Sequence, residues 1–178
     1  MYAKSKTHKK LALFDFDGTL CKKDSFTGFI FYALKKRHIV KQGIKILPWI
    51  QAYYLNIYPA PSMRKKLFKA MFKDAKASEL QDIAEEYAYQ LMSQLDVKIY
   101  QQLLDHQEQG DDVVLVSASV DIYLEIICYL LKIDLICTGT EILNGQFTGT
   151  YSTPDCSSEQ KKIRVLEKYN LERYQNIY

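Results

Sequence analysis

Asp15 and Asp17 stand two positions apart in Phe14-Asp15-Phe16-Asp17-Gly18-Thr19-Leu20, directly after the apolar run Leu11-Ala12-Leu13-Phe14. A strand alternates its side chains with period two, so both carboxylates point to one side of it. Gly18-Thr19 then turns the chain. Two acids side by side repel each other, and burying them unpaired is costly, so a structural role rarely calls for such a pair. Phosphoryl transfer does. The anionic oxygens of a phosphate monoester repel nucleophiles, and its uncatalysed hydrolysis is among the slowest of reactions. A carboxylate can attack it once Mg²⁺ neutralises that charge, giving an aspartyl-phosphate that water resolves. Asp15 suits the nucleophile. Asp17 suits the acid that protonates the leaving oxygen and then, as a base, takes a proton from the incoming water.

Two further segments join the first. Val114-Leu115-Val116-Ser117-Ala118-Ser119 is an apolar strand ending in hydroxyls, and Cys156-Ser157-Ser158-Glu159-Gln160-Lys161 leads a lysine into a helix. In this order and spacing the three segments resemble the motifs of the haloacid dehalogenase (HAD) superfamily. The helical stretch after the first resembles the cap of its phosphoserine-phosphatase-like subclass. The resemblance implies a Mg²⁺-dependent phosphatase whose metal ligands are Asp15 and the main-chain carbonyl of Asp17. It implies a phosphate-binding set of Ser117, Lys161, Gly18 and Thr19, the Thr19 hydroxyl also fixing the loop. Spacing from Cys156 selects Lys161, while the apolar phase of Ile163 and Leu166 also suits Lys162. Asp24 falls where this subclass carries an acid near the substrate, and it serves equally as N-cap of the next helix.

The elements that position these residues can be read from periodicity. Residues 11–17 form a strand in this reading. Helical spacing covers 25–36, then 39–58 with Pro48 as a kink, 62–73 with Ser62 as cap, and 78–91 opened by Ser78-Glu79. A helix over 97–109 closes at Gly110, and residues 112–117 form a buried strand. Helix 121–131, strand 135–138, a hairpin turning on Asn144-Gly145, helix 158–168 and an apolar run at 174–178 follow. The fold class is therefore α/β, a parallel sheet with a helical module inserted after the first strand; the resemblance implies that this is a HAD-like Rossmannoid three-layer core with a helical cap. The core comprises 1–22 and 96–178, the cap 23–95. Ligands of such sheets bind at the carboxyl ends of the strands, where Asp15, Asp17 and Ser117 fall.

Bulk properties narrow the classes further. The chain has 178 residues, 48% hydrophobic and 25% charged, as in an ordinary globular domain. A net charge of +3 does not argue for nucleic acid, and Lys4, Lys6, Lys9 and Lys10 read as a solvated tail. Cys21, Cys128, Cys137 and Cys156 contain no C-x-x-C pair, and Cys128 and Cys137 sit in apolar runs as buried thiols. His38 and His106 have no second histidine at ligand spacing and read as helix-surface residues. No secretory leader and no spanning apolar stretch is evident, so the cytoplasm is the expected compartment.

The resemblance implies a small-molecule phosphomonoester as substrate. Trp49, Tyr53, Tyr54 and Tyr58 read as cap core; with Lys45 they also suit a headgroup boundary that admits a lipid phosphate. Asp24-Ser25-Phe26 matches the Asp-x-Phe of phosphatidylglycerophosphatase-like members. The family's fourth motif, a pair of acids after a further strand, does not appear: Tyr174–Tyr178 has the character of that strand and no acid follows. The chain thus reads as truncated before that motif, with a weak Mg²⁺ site and the flank of its first strand partly unpaired. A phosphomutase-type phosphotransferase and a catalytically silent HAD-like protein are the alternatives.

Overall fold

A computed structural model of the chain describes residues 9–36, 47–52, 55 and 59–178. Strand β1 (Leu11–Phe14) is followed by helices α1 (Ser25–Lys36), α2 (Ala60–Phe72), α3 (Ala77–Met92) and α4 (Val97–Glu108), with a short helical stretch over 47–52. Then come β2 (Asp112–Val120), α5 (Asp121–Leu131), β3 (Asp134–Thr138), the pair β4 (Thr140–Leu143) and β5 (Gln146–Tyr151), and α6 (Glu159–Lys168).

The sheet has the order β1-β2-β3 and is parallel throughout, with Leu11 opposite Asp112 and Val114 opposite Asp134. Val113, Val114, Leu115 and Val116 of β2 are all buried, as expected of a central strand covered on both faces. This is the α/β fold expected from the sequence, with helices inserted between the first two strands.

The flank of β1, expected to be partly unpaired, has partners for Leu11 and Leu13. Residues 175–178 run parallel to it: Leu11 N donates to Asn176 O at 3.0 Å and Leu13 N to Tyr178 O at 2.8 Å, while Gln175 N donates to Lys9 O at 3.0 Å and Tyr178 N to Leu11 O at 2.9 Å. The apolar phase of Ile177 against Leu11 and the hunger of edge amides for partners explain this pairing.

The inserted helices are joined to the core by more than apolar contact. Hairpin β4–β5 turns on Asn144 (φ 51°) and Gly145 (φ 76°), the left-handed pair that a type I′ turn demands. It reaches the α2–α3 connection, where Asp74 N donates to Phe147 O (2.8 Å), Phe147 N to Ala75 O (2.9 Å) and Ala77 N to Gly145 O (2.8 Å). Phe68 of α2 fills the space between them, its ring centroid 5.3 Å from Phe72, 6.2 Å from Phe147 and 5.4 Å from Tyr151. One hydrophobic cluster consequently runs from Phe29, Leu67 and Phe72 through Tyr123 to Leu115.

Several local expectations need correction. β1 stops at Phe14, three residues short of the predicted end, because the chain bends at Asp15 to form a tight loop. Strand β2 instead runs on to Val120, with its register against β3 disturbed between Val116 and Val120. Ser62 lies inside α2, which begins at Ala60 behind Pro59, and Ser78 lies inside α3 behind Lys76; neither helix has a side-chain N-cap. Lys9 and Lys10 are not a loose tail: Lys9 Nζ pairs with Asp112 at 2.6 Å and Lys10 Nζ donates to Gln109 Oε1 at 2.8 Å. His106 is no simple surface residue either, since its Nδ1 lies 2.8 Å from Asp111 Oδ2 and its ring stacks 5.4 Å from that of Tyr178. All four cysteines are buried free thiols, as expected. Pro48 falls in the 47–52 helical stretch, while Lys4, Lys6, His38, Lys45, Tyr53, Tyr54 and Tyr58 lie outside the described residues.

Phe68, fully buried at the meeting of α2 and the hairpin, makes that junction testable. Phe68→Ala should lower unfolding stability by about 3–5 kcal/mol, read from the urea midpoint at constant m.

Candidate active site

The loop after β1 is closed by its own backbone. Gly18 N donates to Cys21 O (2.7 Å), Cys21 N to Phe16 O (2.8 Å), and Thr19 N to Phe16 O (3.3 Å). Gly18 sits at φ 77°, which only glycine adopts without strain. This loop, rather than strand alternation, aims the two acids. Asp15 Oδ1 accepts from Phe16 N at 2.8 Å, which directs Oδ2 to Lys161 Nζ at 2.6 Å. Lys161 arrives in the first turn of α6, and Ser158, at φ 48°, gives the bend that starts this helix. Lys162, the other candidate, is exposed on the neighbouring face.

Asp17 is held differently. Its Oδ1 accepts from Ser25 N at 2.7 Å and its Oδ2 from Ser119 Oγ at 2.5 Å. Burial raises its pKa above the ordinary carboxylate value; these hydrogen bonds oppose the rise and the nearby Asp24 adds to it. Behind it, Ser25 Oγ lies 2.9 Å from Tyr123 Oη and 3.3 Å from Ser119 Oγ, and Tyr87 Oη donates to Ser25 O at 2.9 Å.

A cavity of about 360 Å³ is lined by Asp15, Asp17, Gly18, Asp24, Lys161, Ser119 and, from α2, Arg64, with Lys22 and Lys23 at its edge. The structure thus brings Asp15, Asp17, Gly18, Asp24 and Lys161 together. Ser117 is fully buried beneath Ser119, its Oγ accepting from Ser119 N at 3.1 Å, and Ser119 rather than Ser117 reaches the cavity wall. Thr19 is half-buried in the loop, with its amide tied to Phe16. Asp24 caps α1: its Oδ1 accepts from Thr27 N at 3.1 Å and its Oδ2 from Thr27 Oγ1 at 2.8 Å.

Sequence reasoning missed Ser119, Ser25, Tyr123 and the Arg64–Asp155 pair. Arg64 donates from Nε (3.1 Å) and Nη2 (2.7 Å) to the two oxygens of Asp155, with both side chains nearly buried. This bidentate bond ties α2 to the segment leading into Lys161. Ser119 lay inside the quoted second motif, but the spacing from β1 to its hydroxyl was not legible. The remaining partners lie far apart in sequence.

Mg²⁺ fits the residues present in a limited way. Asp15 and the Asp17 carbonyl offer oxygen donors at this cavity, and Mg²⁺ is commonly held by one or two carboxylates with water and substrate oxygens completing the shell. Among the described residues no group of three acidic, histidine or cysteine side chains is gathered for a metal.

A parallel α/β core that presents two acids and a lysine at its strand ends, beneath helices inserted after the first strand, defines a HAD-like Rossmannoid protein. The chain belongs to the haloacid dehalogenase-like hydrolase family, whose model matches residues 12–178. Solved structures share the fold. A protein of unknown function from Bordetella pertussis Tohama I has a TM-score of 0.81 at 24% identity, over 97% of this chain and 81% of that one. A probable phosphoserine phosphatase from Vibrio cholerae has 0.69 at 14% identity, over 94% of this chain and 50% of its own. A substrate-bound phosphoserine phosphatase has 0.61 at 19% identity, over 96% and 77%. No curated protein matches the sequence.

The raised pKa of Asp17 fixes a sign. Between about 3.8 and its raised value, Asp17 keeps its proton in the folded chain after the unfolded chain has lost it. The folded state then binds more protons, so stability falls as pH rises through that window. Asp17→Asn escapes that loss. In metal-free buffer its urea midpoint should gain on the parent's as pH goes from about 3 to about 7.

Proposed function

We propose that the chain is a Mg²⁺-dependent phosphomonoester hydrolase acting through an aspartyl-phosphate on Asp15, with residues 23–95 as cap over a core of 1–22 and 96–178. The observation that carries this reading is Lys161 Nζ at 2.6 Å from Asp15 Oδ2, in one cavity with Asp17. The carboxylate of Asp15 attacks phosphorus. The bond from phosphorus to the leaving oxygen breaks, and Asp17, whose pKa is raised by burial, gives that oxygen its proton. Asp17, now ionised, takes a proton from the water that attacks the aspartyl-phosphate, and Asp15 is released. Lys161 balances the charge of carboxylate and phosphoryl group in both steps. Ser119, Gly18 and Thr19 line or shape the phosphate seat, with Ser117 supporting Ser119 from beneath. Mg²⁺ bound by Asp15 and the Asp17 carbonyl would neutralise phosphoryl oxygens.

The substrate is proposed to be a small-molecule phosphomonoester. The neighbouring phosphoserine phosphatases support that class, and Asp24 on the cavity wall is its proposed contact. The lipid-headgroup alternative drew on the aromatic stretch, of which Trp49 is described: it lies 40% exposed with Lys66 Nζ 5.3 Å from its ring centroid. No helix among the described residues is long and apolar enough to cross a membrane.

The test is hydrolysis of p-nitrophenyl phosphate with Mg²⁺. Asp15→Asn should abolish turnover, Lys161→Ala should lower kcat by about 10²–10³-fold, and Lys162→Ala should stay within about twofold of the parent. Absence of turnover at every Mg²⁺ concentration would replace this reading with the catalytically silent one.

A further inference from the structure

We propose that Tyr123 is a positioning residue for Asp17, acting through the hydroxyls of Ser25 and Ser119; its role in catalysis rests on the function proposed above. The direction of this chain is set by proton counting. In its ionised form, the one that acts as base toward water, Asp17 can only accept, so Ser119 spends its single hydroxyl proton on Oδ2 at 2.5 Å. Its oxygen is then left to accept, and Ser25 Oγ is 3.3 Å away. Ser25 in turn accepts from the Tyr123 hydroxyl at 2.9 Å. Every hydroxyl in the series donates toward the carboxylate, an arrangement in which each bond polarises the next.

Burial decides what such a chain can do. Tyr123 and Ser25 are fully buried and Ser119 is 2% exposed, so the series ends inside the protein. It cannot bring protons from solvent and therefore orients. Its target is well chosen, because Ser25 also gives its backbone N–H to the other oxygen of Asp17 at 2.7 Å. One residue thus touches both halves of the network, and Tyr123 controls the rotamer of that residue. The ring alone does not explain tyrosine at this place. Tyr123 packs between Phe29 (5.1 Å) and Tyr87 (5.4 Å), where phenylalanine would serve as well, and a buried hydroxyl is costly unless bonded. The sequence separation of Tyr123 from Asp17 and its place on α5, outside the three motifs, left it unremarked in the sequence.

The experiment compares the parent chain with Tyr123→Phe, Ser119→Ala and the double variant in the p-nitrophenyl phosphate assay. Tyr123→Phe should lower kcat by about five- to tenfold with KM unchanged, and should have a smaller effect in the Ser119→Ala background, because that variant cuts the hydroxyl route the two share. A kcat equal to the parent's, or single effects that multiply in the double variant, overturns the proposal. A second readout is independent of turnover. The Ser25 amide proton, bonded to a carboxylate, should resonate downfield in the parent and move upfield in Tyr123→Phe, while the fold's other amides outside this neighbourhood stay in place. An unmoved Ser25 resonance overturns the positioning role even if the parent proves inactive. A shifted one with an inactive parent keeps the network and refutes the hydrolase reading alone.

Discussion

The structure is organised around two carboxylates that must lie close together without neutralising themselves by sharing a proton. Asp15 and Asp17 leave the same strand end, and the fold gives each a different remedy. Asp15 receives a cation, Lys161, from the helix that follows the third strand. Asp17 receives neutral donors and burial, from Ser25 at the start of the inserted helices and Ser119 at the end of β2. The consequence is chemical asymmetry. Asp15 faces an ammonium, while burial raises the pKa of Asp17 against the opposing pull of its neutral donors.

That division of labour explains the topology. Lys161 has to reach β1 from across the sheet, so α6 must enter at the carboxyl ends, and the Asp155–Ser158 segment must bend sharply there. Ser25 N must be fixed in space, so α1 has to begin directly at the site. Asp24 secures that start by capping through Thr27. Helix α1 also packs closely on α3: a methyl group at Gly28 would run into the Tyr87 hydroxyl, the same hydroxyl that holds the Ser25 carbonyl. Close helix approach, hydroxyl placement and carboxylate orientation are in this way one constraint seen at three distances.

Much of this was legible in the sequence where the signal was local. The first motif, the apolar run of β2, the Asn144-Gly145 turn and the alternation of strands and helices in the second half each depend on neighbours within a few residues. The errors arose where tertiary contacts overrode local chemistry. Ser62 and Ser78 have capping side chains, yet α2 starts on Pro59-Ala60 and α3 starts where Ala77 N is bound to the hairpin. Residues 15–17 keep strand-like alternation but form a loop, because Phe16 O is taken by Cys21 and Thr19. Ser119 was indistinguishable from Ser117 by type; it lies where the register of β2 against β3 is disturbed, and it lines the cavity. Tyr123, Ser25 and the Arg64–Asp155 pair involve separations that no periodicity records.

The cations around the cavity carry the argument one step further. Lys161 is bound to Asp15, Arg64 to Asp155 and Lys22 to Asp96 (2.9 Å), while Lys23 donates to Gln94 (3.1 Å). The positive charge at the site is therefore already engaged by protein groups. Lys161 can turn from one oxygen to another within the same ion pair's reach, at small cost, since its side chain and that of Asp15 are partly in water. Arg64 is different: a nearly buried bidentate pair cannot give up its carboxylate without leaving Asp155 uncompensated. The cavity thus has one adaptable cation at the reacting end and one fixed cation in its wall. The fixed one also holds α2, already stitched to the hairpin, against the segment that delivers the adaptable one. The cavity wall on the side of α2 and the segment that leads into Lys161 are in consequence tied by the same ion pair.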